Sequence, residues 1–162
     1  MRKVFLYLSF LTVAITLFSC TSVDDERIPF APVYVSFSTV GDWQIYGVSG
    51  ALEYNRFIKS EKIPAGYPYA ELSQTGFGGV LLVASFEGNP QAFDLSCPVE
   101  CKQNVRIFVN EENLVGECPQ CHSTYDIFRF GGPLSGLAAE KGYALRRYAV
   151  SSPATMYKLI SN

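Results

Sequence analysis

Apolar and polar positions alternate along Val33-Tyr34-Val35-Ser36-Phe37, and the residues are mostly β-branched or aromatic. A period of two with such side chains predicts a first strand. Residues 39–75 carry no sustained periodic face and are broken by Gly41, Gly47, Gly50, Pro64, Gly66 and Pro68. They predict loops with short strands, and a helical turn near Leu52 to Ile58. Gly76-Phe77-Gly78-Gly79 reads as a turn whose glycines free the backbone before a strand. The unbroken apolar run from Val80 predicts a central buried strand to Phe86. Gly88-Asn89-Pro90 then turns the chain, and Ala92 to Leu95 returns antiparallel. Val105 to Val109 is predicted as a strand, Asn110 to Asn113 as a hairpin turn and Leu114 to Glu117 as the return. Tyr125 to Phe128 reads as a further strand. Gly131-Gly132-Pro133 and Ser135-Gly136 mark a loop, and Leu145 to Val150 and Met156 to Ile160 close the sheet. Short strands at even intervals with little helix predict an all-β domain, a small antiparallel barrel or sandwich.

The chain start breaks this pattern. Met1-Arg2-Lys3 is basic, Val4 to Phe18 is almost wholly apolar, and Leu17-Phe18-Ser19-Cys20 follows. The run falls short of the roughly 20 apolar residues that cross a bilayer and reads as a signal peptide over residues 1–19. Its ending resembles the lipobox of bacterial lipoproteins, which implies cleavage before Cys20 and lipid on the Cys20 sulfur, so that the membrane is one partner. Residues 20–32 hold Asp24, Asp25, Glu26, Pro29 and Pro32 and read as a solvated tether. Acidic residues behind a lipidated cysteine point to an outer-membrane location, periplasmic or surface-facing. Residues 33–162 are one domain's worth of chain.

Composition changes the picture little. The formal net charge of −2 leaves no basic footprint for nucleic acid. Aromatics at 14% suit a β-rich domain outside the cytoplasm. No Lys-Ser/Thr follows the glycines at 76–79, which excludes a P-loop.

The chemistry lies in two cysteine pairs, Cys97-Pro98-Val99-Glu100-Cys101 and Cys118-Pro119-Gln120-Cys121-His122-Ser123. Two short loops, each offering two thiolates and joined by a hairpin, have the spacing of a metal site. The four residues Cys97, Cys101, Cys118 and Cys121 are the candidate ligands, with His122 as the alternate should Cys101 be diverted. Glu100 reads as a solvated loop charge, and Arg146-Arg147 as a strand-edge pair that discourages aggregation. No nucleophile–His–acid arrangement is visible, which speaks against hydrolysis.

Around these loops the chain resembles the Rieske domain over about residues 79–150. The resemblance is carried by Ala92-Phe93-Asp94-Leu95-Ser96-Cys97-Pro98, by Cys118 to Asp126, by Gly132-Pro133-Leu134-Ser135-Gly136-Leu137-Ala138 and by Leu145-Arg146-Arg147-Tyr148. Bacterial lipoproteins with a Rieske-like domain and altered ligands are the nearest in pattern. The resemblance implies stacked antiparallel sheets with the site at the tip of a small cysteine-bearing subdomain, a [2Fe–2S] cofactor and an electron-transfer role with a redox or surface protein partner. The ligands depart from the pattern. A Rieske centre needs two Cys and two His. Val99 stands where the first box has His, Cys121 stands at the second His position, and His122 is the only histidine in the chain. A two-His cluster therefore cannot form within one chain. Three states remain: four thiolates around one Zn²⁺ or iron, an all-cysteine [2Fe–2S] cluster, or disulfides, for which the resemblance suggests Cys101–Cys121, with Cys97–Cys118 following. The signal has no twin-arginine motif, so the chain would cross the membrane unfolded. That favours zinc or disulfides over a preassembled cluster. The expectation is a redox module or, alternatively, a binding domain in which zinc or disulfides hold the two loops.

Overall fold

The structure is a computed structural model that describes residues 23–162. The segment expected to be a signal peptide, and Cys20, lie outside the described residues. In chain order the elements are β1 (Val33–Phe37), α1 (Val40–Tyr46), β2 (Tyr54–Phe57), a 3-10 turn (Lys59–Glu61), β3 (Gln74–Thr75), β4 (Val80–Ala84), β5 (Pro90–Asp94), β6 (Phe108–Asn110), β7 (Val115–Glu117), β8 (Thr124–Tyr125), β9 (Pro133–Ser135), α2 (Gly136–Lys141), β10 (Arg147–Ser151) and β11 (Lys158–Ser161). They form two antiparallel sheets, one ordered β2-β4-β5-β10-β11-β1-β3 and a smaller one ordered β6-β7-β8-β9.

The larger sheet curls until its edges nearly meet. Lys59, just past β2, bridges the gap to the segment around β3. Its N–H donates to Thr75 Oγ1 at 3.4 Å, and its Nζ donates to the carbonyls of Glu71 and Ser73 at 2.8 Å each. Inside lie Val35 and Phe37 from β1, Phe57, Val80, Leu82, Ala84 and Ile160, packed with Trp43 and Tyr67. β4 explains how the two sheets stack. All five of its residues are buried, because successive side chains point to opposite faces. Val80, Leu82 and Ala84 enter that first core, whereas Leu81 and Val83 join Phe93, Leu95, Cys97, Ile107, Cys118, Tyr125, Ile127, Phe128 and Leu145 in a second core beneath the small sheet. The cysteine loops thus sit on a platform that is itself buried on both sides.

The glycine turn has a definite task. Asp94, fully buried at the end of β5, accepts hydrogen bonds from the N–H groups of Phe77 (2.9 Å), Gly78 (3.1 Å) and Ser96 (2.7 Å) and from the Tyr148 hydroxyl (2.6 Å). A Cβ on Gly78 would overlap Ser96 Oγ and come within 2.8 Å of Ser96 N. The turn therefore wraps an internal carboxylate and fixes Ser96, the residue before Cys97.

Several local expectations need correction. β1 stands where the alternation puts it, and the central strand begins at Val80 as expected but ends at Ala84, short of Phe86, which is exposed. The helical turn expected at Leu52 to Ile58 is instead the edge strand β2, with Tyr54 opposite Val83 and Phe57 opposite Val80. The helix in this region is α1, started by a capping box in which Thr39 and Asp42 bond each other's backbone. The strand expected at Val105 to Val109 changes partner midway. Cys97 N–H donates to Val105 O and Ile107 N–H to Leu95 O, whereas Phe108–Asn110 pair with β7. The strand expected at Tyr125 to Phe128 ends at Tyr125, because Gly131 N–H closes a turn onto Asp126 O at 2.8 Å. The third loop carries an unexpected short helix, α2, ended by Gly142 at φ 70°.

Within the stretch expected to be a solvated tether, Asp24 to Ile28 make contacts with the domain, although most of the described residues there are exposed. Asp24 pairs with the chain at Tyr143, its N–H donating to Gly142 O and its carbonyl accepting from Ala144 N–H. Arg27 stacks over the Tyr143 ring, 4.4 Å from its centroid. Ile28 is 1% exposed, and its carbonyl accepts from Arg146 at 2.7 Å. Burying one isoleucine is worth about 1.5–3 kcal/mol, which acidic neighbours alone do not reveal in the sequence. Among the described residues no helix is long and apolar enough to cross a membrane.

Candidate metal centre

Each cysteine loop is a tight turn, and both turns are built alike. In the first, Cys101 N–H donates to Cys97 O at 2.9 Å; in the second, His122 N–H donates to Cys118 O at 3.1 Å. Both fifth positions are left-handed, with φ 50° at Cys101 and φ 54° at His122. A proline follows the leading cysteine in each. The leading cysteines, Cys97 and Cys118, are completely buried in the second core, and Cys121 is half-buried.

The turns bring three sulfurs together. Those of Cys97, Cys118 and Cys121 lie within 4.8 Å of one another, with Cys97 and Cys121 at 3.6 Å. All four thiols of the two pairs are free. Cys101 stands apart from this group. Its Sγ donates to Pro98 O at 3.0 Å and to Arg27 O at 3.6 Å, beneath the docked N-terminal segment. The left-handed fifth position turns its side chain away from the one the leading cysteine offers. His122 holds the same position in the second turn. Its side chain is 75% exposed, with Nδ1 3.7 Å from Glu117 Oε1. Val99 packs against the second core, and Glu100 pairs with Lys102 at 3.1 Å.

Two supporting residues were not singled out from sequence. Ser123 is fully buried; its Oγ accepts from Ala138 N–H at 3.1 Å and lies 3.3 Å from Cys121 Sγ. It thereby links the second cysteine turn to α2. The contact leaves no room for a side chain on Gly136, whose Cβ would come within 3.0 Å of Ser123 Cα at a φ of +71°. Tyr125, also buried, brings its hydroxyl to 3.5 Å from Cys97 Sγ. The serine beside Cys121 and the aromatic after it were visible as residues, but only the fold shows what they touch.

The thiols differ electrostatically. Burial pushes the Cys97 thiol up to about 12, against the opposing pull of hydrogen bonds from the Tyr125 hydroxyl and the Glu100 and Val99 backbone. Burial also acts on Cys121, but hydrogen bonds from the Ser123 side chain and backbone and from the other two thiols outweigh it and hold this thiol below its ordinary value. Burial, then the neighbouring Cys97, keeps the Tyr125 hydroxyl protonated far above the usual phenol range.

Sulfurs around one tetrahedral ion at about 2.3 Å lie about 3.8 Å apart. The Cys97–Cys121 separation of 3.6 Å fits one ion. A [2Fe–2S] cluster takes two protein ligands on each iron, four in all, and the group holds three sulfurs.

No protein-family model matches this chain, and none of the curated proteins does. Among solved structures it is similar to the ferredoxin of carbazole 1,9a-dioxygenase from Nocardioides aromaticivorans IC177, at 16% identity and a TM-score of 0.39, over 80% of this chain and 96% of that one. By its own coordinates the chain is an all-β protein in which a small four-stranded sheet carries two cysteine turns. This is the architecture that the Rieske resemblance implies.

Proposed function

We propose that the chain is a metal-binding module of Rieske type, exported and held at the outer membrane by lipid on Cys20, with one thiophilic ion on Cys97, Cys118 and Cys121. The observation that carries this reading is the convergence of three sulfurs from two turns on one point. Soft thiolates select ions such as zinc and iron. With iron, the centre serves a redox partner as a one-electron carrier, the role the resemblance implies. A second reading, in which zinc only locks the two turns, is favoured by the complete burial of Cys97 and Cys118 in the second core. An ion there would tie both loops to the platform from within.

Metal, acid-labile sulfide and free thiols measured on one anaerobically purified sample of residues 21–162 test the proposal. One ion per chain without sulfide is expected; iron with colour selects the electron carrier and zinc the lock. Two irons with two sulfides, or oxidised thiols and no metal, overturn it. For the anchor, the full chain expressed with labelled fatty acid should carry the label and lose it in Cys20→Ala. An unlabelled full chain removes the anchor from the proposal.

A further inference from the structure

Three thiolates leave one corner of a tetrahedron open, and the likeness of the two turns indicates what fills it. The turns match position by position: leading cysteine, proline, a variable residue, a fourth residue, and a left-handed fifth whose N–H bonds the leading carbonyl. In the second turn the fourth residue is Cys121, and its sulfur is in the group. In the first turn the fourth residue is Glu100. The extra cysteine of the first pair, Cys101, is in the fifth position, the place that His122 takes in the second turn. No other side chain of the two turns lies in the group as they stand: Cys101 Sγ bonds Pro98 and Arg27 carbonyls, His122 is exposed beside Glu117, and the Glu100 carboxylate pairs with Lys102, so that only the position in the turn separates them. We propose that Glu100, in the position equivalent to Cys121, supplies the fourth ligand, so that the site is three thiolates and one carboxylate. The assignment rests on the one-ion reading of the site.

The charge around this residue supports it. The Glu100 side chain is 22% exposed, and its ion pair with Lys102 uses Oε2. Oε1 remains for an ion, and Lys102 offsets part of the charge that three thiolates and a carboxylate bring together. A carboxylate oxygen binds zinc at about 2.0–2.2 Å, and such a harder donor among thiolates shifts selectivity away from the softest ions.

Cobalt(II) titration of reduced residues 21–162 tests the assignment, because thiolate-to-cobalt charge transfer counts sulfurs and the visible bands report the donor set. Glu100→Ala should weaken cobalt and zinc binding by at least about tenfold. Glu100→Cys should raise the charge-transfer intensity by about a third, as three thiolates become four, and shift the visible bands. Cys101→Ser should match the starting protein in both. If Cys101→Ser loses affinity while Glu100→Ala and Glu100→Cys leave binding and spectrum unchanged, the fourth ligand is Cys101 and the assignment falls. If the starting protein takes up cobalt and none of these variants alters it, the assignment also falls while the one-ion reading stands. If the starting protein takes up no cobalt, both fall.

Discussion

Asp94→Asn perturbs the packing that delivers Cys97 while conserving volume. The carboxylate accepts from three backbone N–H groups and the Tyr148 hydroxyl. Asparagine replaces one oxygen with a donor. With the amide nitrogen at the Oδ1 position, Ser96 N–H loses its acceptor; at the Oδ2 position, Phe77 N–H does, while the Tyr148 hydroxyl can rotate to accept. In either orientation one buried backbone donor is orphaned, at about 1–3 kcal/mol. The surviving bonds also lose their charge assistance; a bond to a charged group contributes about 1.5–3 kcal/mol, a neutral one about 1. Together these predict a loss of about 2–5 kcal/mol, a large share of the roughly 5–15 kcal/mol that holds a domain folded. Urea unfolding of residues 21–162 followed by fluorescence of Trp43, the only tryptophan, measures it. The midpoint should fall with the slope unchanged. An Asp94→Asn unfolding free energy within about 0.5 kcal/mol of the starting protein would refute the role given to this carboxylate.

Three further outcomes are expected. Ser123→Ala should weaken metal binding about 10- to 100-fold, as loss of a group orienting a ligand does; a competition titration with a coloured chelator reads it, and unchanged affinity contradicts the contact with Cys121. Gly78→Ala should destabilise by about 1–3 kcal/mol through overpacking against Ser96, whereas Gly132→Ala, with nothing within 4 Å of its Cβ, should stay within about 0.5 kcal/mol; equal effects in urea would remove the distinction. The metal-free domain should lose stability as pH rises above about 9 and more steeply above 10. Cys97, pushed up to about 12 by burial, stays protonated in the folded chain while the unfolded thiol ionises, so the folded state binds more protons in that window. The buried hydroxyls of Tyr125, Tyr148 and Tyr67 are raised as well and act in the same direction at higher pH. Urea midpoints measured from pH 7 to 11 check this, and a flat profile contradicts it.

The parts of the fold legible in the sequence are those where one pattern serves one purpose. Val33 to Phe37 alternate because one face is buried, and Val80 to Ala84 are all apolar because both faces are. The turn at 76–79 was recognisable, but its reason, the Asp94 carboxylate, lies across a strand pair that no local pattern encodes. The two short helices escaped for different causes. α1 has a capping box, but its single buried residue, Trp43, gives no periodic stripe. α2 begins at a glycine and exists because Ser123 fixes its first turn through Ala138. Docking of the N-terminal stretch buries a single apolar side chain, Ile28, and otherwise uses the Asp24 backbone and the Arg27 guanidinium, which no apolar pattern reveals.

At the site, spacing located both cysteine turns and counting removed the two-histidine cluster, since both are properties of the chain. Which sulfurs meet is not. Cys-x-x-x-Cys and Cys-x-x-Cys look interchangeable as text. The fifth position of each turn is left-handed, however, and this sets Cys101 aside while Cys121 joins Cys97 and Cys118.

The most direct test of the central claim is the anomalous scattering of crystals of residues 21–162 grown anaerobically with zinc. A single peak about 2.3 Å from the sulfurs of Cys97, Cys118 and Cys121 is predicted. A Cys97–Cys121 disulfide with no peak, or a zinc ion held elsewhere with these three sulfurs apart, would contradict it.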